Sequence, residues 1–259
     1  MTLAHHRGGS GAPLLLVHGL GSHWHVWEPV LPRLEREREV VAVDLPGFGE
    51  SAPLPAGTEP TPGALTDAVA SFLDELGWQA PAVAGNSLGG LVVLELARRG
   101  RARSTCAISP AGLWRGWERT FCDCSLRATR ASALRLAPHA DQLLARPRAR
   151  KLVFGQIAEH AERLTPKEAA AALRNVADSP GFDATRAALM VREVERLDEL
   201  PESVTIAWGT KDRLLLPRQG KRARELAPRV RHVSLLGVGH VPMWDDPELV
   251  ARTILESAA

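Results

Sequence analysis

The chain reads as an α/β protein, a mostly parallel central sheet flanked by helices with an inserted all-helical segment. Three observations predict this. Short apolar runs alternate with helical periodicity over residues 1–112, the alternation stops over 113–197, and it resumes over 198–259. The expected organisation is a discontinuous core, residues 1–112 and 198–259, interrupted by a helical lid at 113–197.

In chain order, one strand is expected near residues 2–6, followed by a buried strand at 14–17, Leu-Leu-Leu-Val. A helical stretch over 27–37 leads to a strand at 40–43, Val-Val-Ala-Val. Apolar residues at helical spacing predict a helix over 64–76, then a strand at 81–85, a helix over 91–99 and a strand at 105–108. A single strand is expected before residue 14. The inserted segment is rich in Ala, Leu and Arg, with helical periodicity over 121–136, 152–163, 167–176 and 184–194. Thr165-Pro166-Lys167-Glu168 is a helix start: a capping Thr, a Pro in the first turn and an acid three residues after the cap. Strands at 204–208 and 230–236 and helices at 219–226 and 247–256 complete the core.

Composition narrows the function. The 259 residues are 45% hydrophobic, with a mean hydropathy of −0.10, as expected of a soluble globule. No apolar run approaches the ~18 residues of a membrane span. The first residues lack a signal-type apolar stretch, so a cytoplasmic location is expected. A net charge of +2 argues against a nucleic-acid binder. Residues 114–196 hold 15 Lys and Arg against 10 Asp and Glu, which reads as a solvated helical surface. Three cysteines make no disulfide framework. Cys106 sits in an apolar run, and Cys122-x-Cys124 has no companion Cys/His set, so no metal is expected.

The chemistry starts at Gly85-Asn86-Ser87-Leu88-Gly89, between a strand and a helix. This G-x-S-x-G arrangement presents a serine on a sharp turn whose crowded backbones exclude a Cβ at the flanking glycines. A serine hydroxyl is a weak nucleophile and needs a base, a histidine oriented by a carboxylate. Asp212 follows one late strand through Gly209-Thr210-Lys211, and His240 follows the next through Gly237-Val238-Gly239. Both lie where strand C-terminal ends open on a binding crevice. Asp245 and Asp246 are the rival acids. Attack on a carbonyl also needs preorganised N–H donors for the oxyanion. The N–H groups of Leu88, at a helix start, and of Leu20, in the glycine-rich loop His18-Gly19-Leu20-Gly21, are the candidates. Trp24, Trp114 and Val241 are expected to line the substrate pocket.

Five motifs occur together and in order: His18-Gly19-Leu20-Gly21, Asp44-Leu45-Pro46-Gly47-Phe48-Gly49-Glu50-Ser51, Gly85-Asn86-Ser87-Leu88-Gly89-Gly90, Trp208-Gly209-Thr210-Lys211-Asp212 and Gly239-His240. With them the chain resembles the lidded α/β-hydrolase fold proteins over nearly its whole length. The resemblance implies a Ser87–Asp212–His240 triad, oxyanion donors on Leu20 and Leu88, and a helical lid at 113–197. It implies a serine hydrolase that cleaves a small or medium ester, lactone or thioester through an acyl-enzyme on Ser87. The partner is a small-molecule acyl substrate, and neither metal nor organic cofactor is expected. Relatives that act on haloalkanes or epoxides carry aspartate at the position of Ser87, and the chain contains no tyrosine to activate an epoxide. Asn86-Ser87 is similar to the elbow of meta-cleavage-product C–C hydrolases, which gives a second reading. The His18 loop lacks their Gly-Pro-Gly-Ala continuation, and Val241 stands where they usually carry Trp. A slow-turnover small-molecule receptor on the same fold is the third.

Overall fold

The Leu14–Val17 run is buried on both faces of its strand, and the sheet is built around it. A computed structural model of the chain describes residues 2–191 and 196–258. The strands are β1 (His5–Gly9), β2 (Ala12–Val17), β3 (Arg38–Val43), β4 (Ala82–Asn86), β5 (Ser104–Ile108), β6 (Val204–Gly209) and β7 (Arg231–Leu235). They form one sheet in the order β1-β3-β2-β4-β5-β6-β7. β1 runs antiparallel to β3, and all other pairs are parallel. Apolar residues on both faces of β2 and β3 are what a sheet covered by helices on both sides requires.

Alternate residues serve the two layers. Leu15, Val17, Val41, Val83 and Ile206 pack with α2 (Pro62–Glu75), α3 (Leu88–Arg98) and α9 (Pro217–Leu226). Leu14, Leu16, Val40, Ala84 and Ile108 face the other way, onto α1 (Leu31–Leu34) and α10 (Pro247–Ser257). Between β5 and β6 lie α4 (Trp117–Leu136), α5 (Ala140–Leu144), α6 (Pro147–Phe154), α7 (Pro166–Asp178) and α8 (Phe182–Met190). These helices share an alanine-rich core of their own, with Leu144, Phe154 and Leu173 among Ala133, Ala169 and Ala170. At the expected helix start a capping box opens α7, where Thr165 and Glu168 each accept the other's backbone N–H. The insertion is tied to the core where the buried Glu118 of α4 meets Arg218 and Arg222 of α9. Burial pushes the Glu118 carboxyl up. Hydrogen bonds from Arg222, the Arg115 N–H and Arg218 outweigh that and hold it below its ordinary range. Among the described residues no helix is long and apolar enough to cross a membrane.

Four element expectations differ from the structure. The edge strand forms at His5–Gly9, three residues late, because its pairing is set by β3 and its own sequence is polar and partly exposed. The helix expected over 27–37 is broken into a 3-10 turn, Trp24–Trp27, and the four-residue α1, since Pro29 and Pro32 supply no N–H. The helix expected over 152–163 ends at Phe154, and the N–H groups of Glu159 and His160 donate to Asp245 instead of to a helical carbonyl. The one expected over 184–194 starts at Phe182 and runs to Met190, and its last expected residues lie outside the described ones.

Candidate active site

Three loops at the C-terminal ends of β4, β6 and β7 bring together the residues expected to carry chemistry. Ser87 stands between β4 and α3 at φ 58°, ψ −115°, a region that a residue with a Cβ rarely adopts. Such a conformation costs ~1–3 kcal/mol and persists only when its surroundings over-determine it. Here they do. The Ser87 N–H donates to Ile108 O at 3.0 Å, and Ser87 O accepts from Leu91 and Ala111 at 3.1 and 3.0 Å. A Cβ at Gly85 would overlap the Gly89 carbonyl, and one at Gly89 would overlap the Val17 carbonyl. The two flanking glycines are therefore steric requirements of the turn.

Asp212 and His240 meet directly. His240 Nδ1 lies 2.8 Å from Asp212 Oδ2, with both side chains buried. Asp212 Oδ1 accepts the N–H groups of Leu214 and Leu215 at 2.9 and 2.8 Å, which fixes the carboxylate plane. The carboxylate thus requires Nδ1 to carry the proton and leaves Nε2 as the basic nitrogen. Asn86 joins this assembly to the serine turn: its Nδ2 donates to His240 O at 2.9 Å and to Ile108 O at 3.2 Å. Ser87 and His240 line one cavity of about 530 Å³.

The glycine-rich loop after β2 lies against the elbow, and a Cβ at Gly19 would sit 3.1 Å from Ser87 Cβ. His18 holds this loop. Its Nε2 must accept the Leu45 N–H at 2.9 Å, so Nδ1–H donates to Gly19 O at 2.7 Å. Accepting the Leu45 N–H requires a neutral imidazole, and burial pushes the ring's pKa down, against smaller upward effects of the Gly19 carbonyl and Asp44. Asp44 braces the neighbouring turns by accepting the N–H groups of Trp24 and Glu50 at 2.7 and 2.9 Å. Leu20 lines the cavity. Leu88 opens α3, where the first N–H groups have no partner within the helix.

Of the expected pocket residues, Trp114 and Val241 line the cavity and Trp24 does not. The half-buried Trp24 ring stacks on His6 and His25 and packs against the α1/α10 layer. Two histidines, the half-buried His23 and the exposed His25, also line the cavity. Burial, with His25 and His18 adding and Asp44 opposing, pushes the His23 pKa down to about 4. Cys122 also faces the cavity; burial and the nearby Asp212 and Asp123 push its thiol up to about 12. It is a neutral wall group. Of the two rival acids, Asp246 caps α10 through the Leu249 N–H, and Asp245 accepts the backbone N–H groups of Glu159, His160 and Gly239. Sequence reasoning missed the parts played by the Asn86 amide, the His18 ring and Asp245. All three stood inside or beside the motifs, but their partners are backbone atoms distant in sequence.

Comparison with known proteins agrees with this architecture. A model of the family described as "Alpha/beta hydrolase family" matches residues 14–253. An epoxide hydrolase of Mycobacterium tuberculosis is 30% identical over 195 residues, which take in 73% of this chain and 91% of that protein. A pimeloyl-[acyl-carrier protein] methyl ester esterase of Methylococcus capsulatus is 28% identical, with 97% and 96% of the two chains covered. A thermophilic esterase from Thermogutta terrifontis has the same fold, with a TM-score of 0.76, 24% identity and coverage of 98% and 92%. With one further curated relative, 31% identical, the alignment takes in 96% of this chain and 64% of that protein.

Proposed function

The chain belongs to the alpha/beta hydrolase family and is a hydrolase, and from that premise we propose that it is a serine hydrolase. Its substrate is a neutral ester, lactone or thioester with apolar groups around the carbonyl. The observation that carries this is the pairing of His240 with Asp212 beside a serine held at positive φ on the wall of the same cavity.

Ser87 attacks the acyl carbon while His240 Nε2 takes its proton. The N–H groups of Leu20 and Leu88 meet the oxyanion, a contribution worth ~10²–10³ in rate per donor. His240 then protonates the leaving group, and the acyl group stays on Ser87. Water, deprotonated by the same nitrogen, releases the acid. Asp212 stays ionised throughout and stabilises the imidazolium. The described residues of the 113–197 insertion act as the lid over this cavity, through Trp114, Leu126, Phe182 and Leu189.

The substrate class follows from the wall. Among the described residues lining the cavity, Lys167 is the sole lysine or arginine, and it is exposed. A carboxylate drawn into such a site would lose its hydration with no buried cation to replace it. This favours neutral esters over the anionic ring-fission products of C–C hydrolases. Epoxide chemistry has no support in these residues, because the elbow carries serine and the sequence has no tyrosine. The test is turnover of p-nitrophenyl butyrate by the wild type and by Ser87→Ala. The variant should lose at least a thousandfold in kcat/KM while keeping its Tm; undiminished turnover would refute the assignment.

A further inference from the structure

We infer that Asp245 is a positioning residue for His240, locking it to one wall of the substrate cavity; this rests on the reading of His240 as the general base. Asp245 is 5% exposed, and among the described residues it has no ion-pair partner. Its charge is met by main-chain donors from two separate segments. Oδ2 accepts the Gly239 N–H at 2.7 Å and the Glu159 N–H at 2.9 Å, and Oδ1 accepts the His160 N–H at 2.6 Å. Hydrogen bonds to an ionised acceptor are about twice as strong as neutral ones.

The same two segments meet again on the other side of the base. The Val241 N–H donates to Ile157 O at 2.8 Å. Residues 239 and 241, flanking His240, are thus both fixed to the stretch 157–160, one through Asp245 and one directly. Gly239 makes the approach possible, since a Cβ there would stand 2.8 Å from Ile157 O. Arg213, next to Asp212, adds a third tie through Gly155 O at 2.8 Å and Glu159 Oε2 at 2.5 Å. Gln156 and Ile157, in the middle of this stretch, line the cavity. The wall that touches substrate and the loop that carries the base are therefore one mechanical unit, with the Asp245 carboxylate as its pin. Misplacing a base by about 1 Å can cost ~10² in rate.

The experiment compares Asp245→Asn and Asp245→Ala with Asp246→Ala, the neighbouring helix cap. Turnover of p-nitrophenyl butyrate is normalised to sites titrated with a fluorophosphonate, so unfolded protein does not count. Amide hydrogen exchange is followed over residues 155–160 and 237–241. Asparagine keeps one acceptor oxygen and alanine keeps none. The expected order of kcat is therefore wild type, then Asn at about a tenfold loss, then Ala at about a hundredfold loss, with KM within about twofold. Exchange should rise in both segments together. Asp246→Ala should lose a few degrees in Tm with kcat and exchange in both segments unchanged. If Asp245→Ala does not fold, the Asn variant decides. Wild-type kcat per titrated site, or faster exchange confined to 155–160, would overturn the inference. A wild type that hydrolyses no ester would count against the proposed function instead, and the exchange comparison would still decide whether Asp245 joins the two segments.

Discussion

Replacing Asn86 by alanine should uncouple the serine turn from the histidine loop. The Asn86 amide is 3% exposed and donates to His240 O at 2.9 Å and Ile108 O at 3.2 Å. The two carbonyls do not suffer equally. Ile108 O also accepts the Ser87 N–H at 3.0 Å and stays satisfied. His240 O loses the amide donor that holds it, and a buried group left unpaired costs ~1–3 kcal/mol. Adding a small cavity term gives a total of about 2–3 kcal/mol. For a chain of this length that is a fall in Tm of roughly 5–8 °C. Activity should fall further than stability, because the freed carbonyl belongs to the base itself. A tenfold loss of kcat/KM needs only about 1.4 kcal/mol in the transition state. Asn86→Asp should be worse than Asn86→Ala, since it sets a carboxylate against the same two carbonyl oxygens. Thermal unfolding and ester kinetics on the purified variants check this. Wild-type Tm and wild-type kcat/KM in Asn86→Ala would refute the reasoning.

Two further outcomes follow from the geometry. Gly89→Ala drives a Cβ into the Val17 carbonyl across the elbow, so it should yield insoluble protein or a Tm lower by more than about 10 °C. An unperturbed melting curve would contradict the close approach. The His23 pKa lies at about 4 against 6.5 for the free side chain. Below pH 6.5 the unfolded chain binds the proton more readily, so His23 contributes stability that is complete above about 6.5 and is lost as pH falls toward 4. The gap corresponds to about 3 kcal/mol at most, and partial solvent screening of a half-buried ring reduces it to nearer 2. His23→Gln should flatten the decline of Tm between pH 6.5 and 4; an unchanged slope would assign that decline to other groups.

Most of the architecture was legible because its signals are local. Unbroken apolar runs such as Leu14-Leu15-Leu16-Val17 leave a strand little choice, and Gly85 and Gly89 bracket Ser87 between such a run and a helical stretch. Asp212 and His240 could be placed because each follows a strand end directly. What the sequence hides is set by partners distant along the chain. The strand at His5–Gly9 takes its register from β3, not from its own polar residues. The stretch after Phe154 keeps helical periodicity, but the N–H groups of Glu159 and His160 go to Asp245. Trp24 has the composition of a pocket residue, yet its ring stacks on His6 and His25. An aspartate five residues after the histidine was visible as a rival acid, but its true partners, three backbone N–H groups from two segments, cannot be read from a side-chain pattern.

The central claim, a covalent acyl group on Ser87, is tested most directly by intact-mass analysis of the protein quenched during turnover of a p-nitrophenyl ester. The account predicts a mass increase equal to one acyl group, located by peptide mapping to the segment containing Ser87 and absent from Ser87→Ala. An adduct on any other residue, or steady turnover that survives in Ser87→Ala, would contradict it.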